Sequence, residues 1–227
     1  MSTVYTINVT NNSNSIQDFF FFQAPAIYTG GATVYSNSLY QSELRPSVGS
    51  GSVLTFEMNK QYYAGAQTQW SPPAVGAVSG DTTACQAIDL APASGGAATK
   101  CATNMSVAPL GLSPAASLAA DVQPGAFRII APVYNPNTDG NINIGAAVQN
   151  KAGGPATVSS FIVAQPNQYV DCQPILTFYV QTGTYTPGQV INFTAASNDA
   201  AECDTTTGHT TFNVTYNVDG TWAVTPQ

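Results

Sequence analysis

Near the end of the chain, Phe212, Val214, Tyr216 and Val218 alternate with Asn213, Thr215 and Asn217, and the run stops at Asp219-Gly220. A period of two sends every apolar side chain to one face of a strand and every polar one to the other. Asp-Gly is a strong hairpin signal because both positions tolerate positive φ. The same grammar recurs upstream. Within residues 3–10, Tyr5, Ile7 and Val9 alternate with Thr6, Asn8 and Thr10, and a turn cluster follows from Asn11 to Ser15. Residues 18–23 carry Phe19-Phe20-Phe21-Phe22, apolar on both faces, which predicts a central strand. Further strands are expected at 52–59, 126–131, 141–148, 157–164, 174–181 and 189–195, with a second Asp-Gly hairpin at Asp139-Gly140. The one helix signal is Ser113-Pro114, where serine would cap and proline would take the first helical position. The pattern predicts an all-β fold, an antiparallel β-sandwich of the jelly-roll or Ig-like kind.

Residues 71–124 interrupt the pattern, being poor in aromatics and rich in Ala, Gly, Pro and Ser. They read as a long insertion between two strand-rich blocks. A structureless loop of that length would be unusual, so short strands are expected inside it, near Gln86–Leu90 and Met105–Pro109. Neither block repeats the other, so residues 1–227 are expected to form one domain, the alternative boundary falling near 120–125.

Charge narrows the partners. Only 7% of residues are charged, against roughly 25% in a typical domain. Eleven Tyr and ten Phe rule out disorder as the reason. Solubility must come from hydroxyls and amides, a surface more usual on secreted or cell-surface proteins than on cytoplasmic ones. The formal net charge is −7, and it is uneven. Arg45, Lys60, Lys100, Arg128 and Lys151 are scattered, and no base follows Lys151, whereas Asp171, Asp199, Glu202, Asp204 and Asp219 do. Nucleic acid and anionic lipid both need clustered bases, so neither is an expected partner. No run approaches the roughly 20 apolar residues of a membrane-spanning helix, and no membrane insertion is expected. The N-terminus lacks a basic leader and already reads as a strand. An extracellular or cell-surface setting is expected, with Met1 then standing where a leader was removed; a cytoplasmic one is the alternative.

Four cysteines, Cys85, Cys101, Cys172 and Cys203, form no CxxC pair, which argues against a zinc knuckle or a dithiol redox site. The sequential pairing, Cys85–Cys101 with Cys172–Cys203, closes the two shortest loops. A disulfide across the first loop would contribute about 3 kcal/mol by restricting the unfolded chain. Four free thiols, as in a reducing compartment, are the alternative.

Catalytic signatures are missing. His209 is the single histidine, which excludes HExxH zinc sites, and there is no GxSxG elbow, phosphate-binding GxxxxGK[ST] or GxGxxG. No carboxylate spacing singles out an acid–base pair. Asn135, Asn137, Asp139 and Gly140 have the look of a calcium loop's opening, but position 146 is Ala where a distal Glu belongs, so a polar turn is expected. Asp199, Glu202, Asp204 and His209 around Cys203 read as an acidic loop rather than a metal site. Sequons at Asn8, Asn11, Asn104, Asn192 and Asn213 carry little weight in a chain so rich in Asn and Thr. No catalytic residue, metal or cofactor is expected.

Aromatic rings beside amides remain. Tyr62, Tyr63 and Trp70 lie in a stretch that also holds Gln61, Gln67 and Gln69, and Trp222 sits in the last hairpin. Rings pack on the CH faces of a sugar while amides bond its hydroxyls. These four residues are the candidate ligand site of a non-enzymatic, lectin-like module that binds a glycan or other surface ligand. A self-assembling structural or cell-surface protein is the alternative, and a hydrolase with an unrecognised site a second one.

Overall fold

The alternating segments become strands in a computed structural model that describes residues 4–94, 96–117, 121–150 and 156–227. Strand accounts for 50% of the chain and helix for 6%. From the N-terminus run β1 (Val4–Asn11), β2 (Gln17–Gln23), β3 (Ile27–Tyr28), β4 (Tyr35–Leu44), β5 (Leu54–Asn59) and β6 (Tyr62–Thr68). The Ala/Gly/Pro-rich insertion supplies β7 (Asp81–Ile88), β8 (Ala102–Val107) and β9 (Leu110–Leu112), and β10 (Phe127–Ile130) follows. After a one-turn helix α1 (Pro136–Asp139) come β11 (Ile142–Gln149), β12 (Ala156–Val163), β13 (Tyr169–Gln173), β14 (Thr177–Thr182) and β15 (Val190–Ile191). Helix α2 (Phe193–Asn198) precedes β16 (Ala201–Asp204), β17 (Thr211–Tyr216) and β18 (Trp222–Pro226).

Three curled sheets result. The largest runs β16-β14-β2-β4-β12-β11-β6-β7, with β15 hydrogen-bonded to β4 beside that path. A four-stranded sheet runs β18-β17-β1-β5, and a five-stranded one β3-β13-β10-β8-β9. Pairing is antiparallel apart from β1 with β17 and β8 with β10. The Phe19–Phe22 run sits in the interior of the large sheet, as its two apolar faces predict. Phe19 and Phe21 enter one core with Ile7, Phe56, Phe178 and Phe212, while Phe20 and Phe22 enter another with Ile191.

Both small sheets lie against one face of the large sheet. Along β11, Ile144 and Ala146 face a core shared with Phe127, Ile129 and Val170 of the five-stranded sheet. Val148, the next residue of the same parity, faces the core shared with the four-stranded sheet. The opposite face is covered by β15 and α2, which bring Ile191, Phe193 and Ala196 over Phe20 and Phe22. Uncharged groups tie the interior: Asn37 Nδ2 donates to Ser79 Oγ at 2.9 Å, Ser79 Oγ to Gln67 Oε1 at 3.0 Å, and Asn143 Nδ2 to the Ser79 carbonyl at 2.8 Å. A rare ion pair adds to this, Arg128 holding Asp171 through Nε at 2.5 Å and Nη2 at 2.9 Å.

Several expectations change. Asp219-Gly220 joins β17 to β18 as a hairpin, but Asp139-Gly140 closes α1, with Asn135 Oδ1 accepting from the Asn137 N–H at 3.1 Å and Gly140 at φ 84°. The strands flanking it, β10 and β11, belong to different sheets. After Ser113-Pro114 the chain forms a bridge, Ala116 with Ala102, instead of a helix. The expected 189–195 strand ends at Ile191, because Asn192 caps α2 by accepting from the Ala195 N–H at 3.1 Å. The structure holds all four cysteines as thiols, Cys85 exposed and the other three buried. Cys172 and Cys203 face different cores, a separation that loop length does not register. The first residue of the 3–10 strand, positions 118–120 of the insertion and Lys151 lie outside the described residues.

Candidate functional site

A cleft of about 440 Å³ opens on the outer face of the large sheet, where the end of β14, the α2 segment and the last hairpin converge. Phe20 of β2 forms its floor, and the Tyr185 ring stands 5.0 Å from it. That approach depends on Gly183, at φ 148°, since a Cβ there would meet Phe20 Cε1 at 3.0 Å. Ala195 and Ala196, one turn into α2, are too small to fill the space above the rings. Tyr216 of β17 supplies the far wall. The hairpin is pinned there by Trp222, whose indole N–H donates to the Asp199 carbonyl at 2.7 Å and whose ring lies 4.7 Å from that of Tyr216.

Polar groups converge on the same space. Gln181 Oε1 accepts from the Thr182 N–H at 2.7 Å, which fixes the amide, and its Nε2 donates to the Ala196 carbonyl at 3.5 Å. Asn192, exposed at the start of α2, lends Oδ1 to the cap. Among the described residues Asp199 is the single charged one of the lining. Asp219, next to the lining Gly220, has its pKa lowered by hydrogen bonds from the Thr221 hydroxyl and N–H, so it stays ionised. With carboxylates here and no Lys or Arg among the described residues of the lining, the cleft disfavours anions and offers no guanidinium fork of the kind that recognises carboxylate or phosphate. Rings, amides and one carboxylate acceptor suit a neutral molecule carrying hydroxyls.

The four candidates from the sequence do not converge. Tyr62 and Tyr63 begin β6 and pack against two different cores, and Tyr63 donates to Gln149 Oε1 at 2.5 Å. The space beside them is about 20 Å³, room for one water and not for a sugar ring. Trp70 lies beyond the other end of β6, 65% exposed. Trp222 adjoins the 440 Å³ cleft through Tyr216 and Asp199. Sequence reasoning missed Phe20, Gln181, Tyr185 and Tyr216 as a group, and Asp199 was read with other acids. Those acids go separate ways: Asp204 accepts from the Thr206 N–H at 2.9 Å, and Glu202 from the Tyr179 hydroxyl at 3.3 Å. Burial, with Glu202 second, pushes Tyr179 up to about 12. Among the described residues no three His, Cys, Asp or Glu side chains are grouped to hold a metal.

The model of one family, described as RhiA, matches residues 2–227. No curated protein and no solved structure matches the chain.

Proposed function

The chain belongs to the RhiA family, and from that premise we propose that it is a non-enzymatic binding protein for an uncharged, hydroxyl-rich ligand of the carbohydrate class. One observation carries the reading: the 440 Å³ cleft sets the rings of Phe20, Tyr185 and Tyr216 against Gln181, Asn192 and Asp199. Its volume falls in the range of roughly 300–1,000 Å³ typical of small-ligand sites. We read the curled sheets as a β-sandwich, two small sheets against one face of the large one, with the cleft beside the β15 and α2 cover on the other face. A neutral glycan panel tests the reading. Tyr185→Ala and Gln181→Ala should each weaken binding about tenfold, near 1.4 kcal/mol, with an unchanged far-UV circular dichroism spectrum. A blank panel with wild-type protein would refute it.

A second reading, self-association, rests on β7. It ends the large sheet, paired among the described residues with β6 alone, and Asp81, Cys85 and Ala87 are exposed. An open strand edge is a template for a second chain. Sedimentation over a wide concentration range separates the readings, since edge pairing predicts particles that grow with concentration.

A further inference from the structure

The cleft has a neighbour. A second depression, of about 330 Å³, lies across Ile191 and Asn192, and those two residues line both. Its walls differ in character. Val34, Pro73, Val75 and Phe193 supply much of its apolar surface, Tyr35, Ser36 and Thr194 line it as well, and among the described residues no Asp, Glu, Lys or Arg contributes to it. Val34 and Val75 are 37% and 58% exposed, so the depression presents apolar surface directly to water. The first cleft thus offers rings, amides and a carboxylate, and the adjoining one, among the described residues, offers no charge and more apolar than polar surface.

We propose that the two clefts form one site for an amphiphile. Its uncharged polyol head occupies the first cleft, and its alkyl or acyl chain crosses Asn192 into the second. This rests on the polyol reading of the first cleft and adds the class of molecule that carries the polyol. A second sugar unit is the poorer occupant on the Val34, Pro73 and Val75 side of the depression, where its hydroxyls would lose water without gaining partners. A hydrocarbon chain loses nothing there and removes exposed valine surface from water. Asn192 stands at the junction, where its amide hydrogens meet the oxygen that links head to chain.

The test is a titration series of n-alkyl glucosides and maltosides, from methyl to octyl, by calorimetry below their micelle concentrations. Affinity should rise about two- to fourfold per added methylene until the depression is filled, the upper figure being full burial of each CH₂. The heat-capacity change should grow more negative along the series. Val75→Asp should flatten the dependence on chain length while leaving the methyl glycoside within about twofold of wild type. Tyr185→Ala should instead weaken every member of the series alike. A methyl glycoside that binds with no gain from longer chains overturns the amphiphile and leaves the polyol reading standing. A slope unchanged by Val75→Asp overturns the placement of the chain. Alkyl sulfates binding as well as the glycosides overturn the uncharged head. No binding at any length, with a blank glycan panel, overturns both proposals together.

Discussion

Phe20 and Phe21 are adjacent on β2 and face opposite sides of it, so replacing each in turn separates what the fold needs from what the cleft needs. Both are buried, at 2% and 0% exposure. Phe20 packs 5.3 Å from Phe22 and 5.0 Å from Tyr185, and Phe21 packs 4.7 Å from Phe56 and 5.8 Å from Tyr40. Truncation of either to Ala should cost about 3–5 kcal/mol, a large part of the roughly 5–15 kcal/mol that holds a domain together. Leu retains most of the volume and should cost about 1–3 kcal/mol at either site, read as a lowered urea midpoint with an unchanged slope. Ligand binding then tells them apart. Phe20→Leu removes the ring against which Tyr185 is placed, and should weaken glycan or alkyl glycoside binding about three- to tenfold. Phe21→Leu, facing the four-stranded sheet, should leave it within twofold. Equal losses of affinity in the two variants, or none in Phe20→Leu, would refute the assignment of Phe20 to the site. A cost below about 1 kcal/mol for Phe20→Ala would refute the view that β15 and α2 close a core on the outer face.

Gly145→Ala should destabilise by about 3 kcal/mol or more, because a Cβ there would overlap the Ser160 carbonyl and the Tyr28 hydroxyl, which bonds Ser160 at 2.7 Å; a urea midpoint like wild type would contradict this. In denaturant without reductant, all four cysteines should alkylate, and in the native state at pH 8 only Cys85 should react, slowly, since partial burial pushes its thiol up to about 11. Intact mass reads both outcomes, and a missing pair of alkyl groups would show a disulfide instead. Tyr179 is raised from 10.0 to about 12 and buried Tyr28 is raised as well, both chiefly by desolvation. For Tyr179 the stability held below pH 10 is lost as pH climbs through about 12, and Tyr28 acts in the same direction, so tyrosinate absorbance should lag the ordinary midpoint and rise with unfolding. All tyrosines titrating near pH 10 in a folded protein would contradict it.

Strands were legible where one face meets a core and the other meets water. In β1, Ile7 and Val9 are buried between half-exposed Thr6, Asn8 and Thr10, so burial repeats the sequence period. The strands that sequence reasoning passed over are written differently. β4 begins Tyr-Ser-Asn-Ser, and its Ser36, Asn37 and Ser38 are buried, Asn37 bonded to Ser79 Oγ and to the Val158 carbonyl at 2.9 Å each. β6 carries Ala64, Gly65 and Ala66 inside the sheet, and Gly65 admits no side chain, since a Cβ would lie 2.9 Å from Val158 Cγ2. Small and polar residues are poor strand formers by propensity, and these are held by neighbours distant in sequence. The amides and hydroxyls that composition assigned to the surface serve partly inside.

The site was less legible because nothing in it is local. A run of four phenylalanines announces two apolar faces without saying what covers each. The cover for Phe20 and Phe22 arrives more than 150 residues later, as Tyr185, Ile191 and Phe193. Choosing rings by their amide neighbours favoured Tyr62 and Tyr63, yet on a strand consecutive residues point to opposite faces, and these two enter different cores. Trp222 borders the cleft for a reason its flanking residues do not reveal: its indole fastens the last hairpin to the end of α2, and that bond sets the distance between the Tyr216 wall and the Asp199 rim. A pocket bounded by a hairpin, a one-turn cap and the middle of a buried strand has no characteristic spacing. It becomes visible only when three sheets have fixed where those pieces meet.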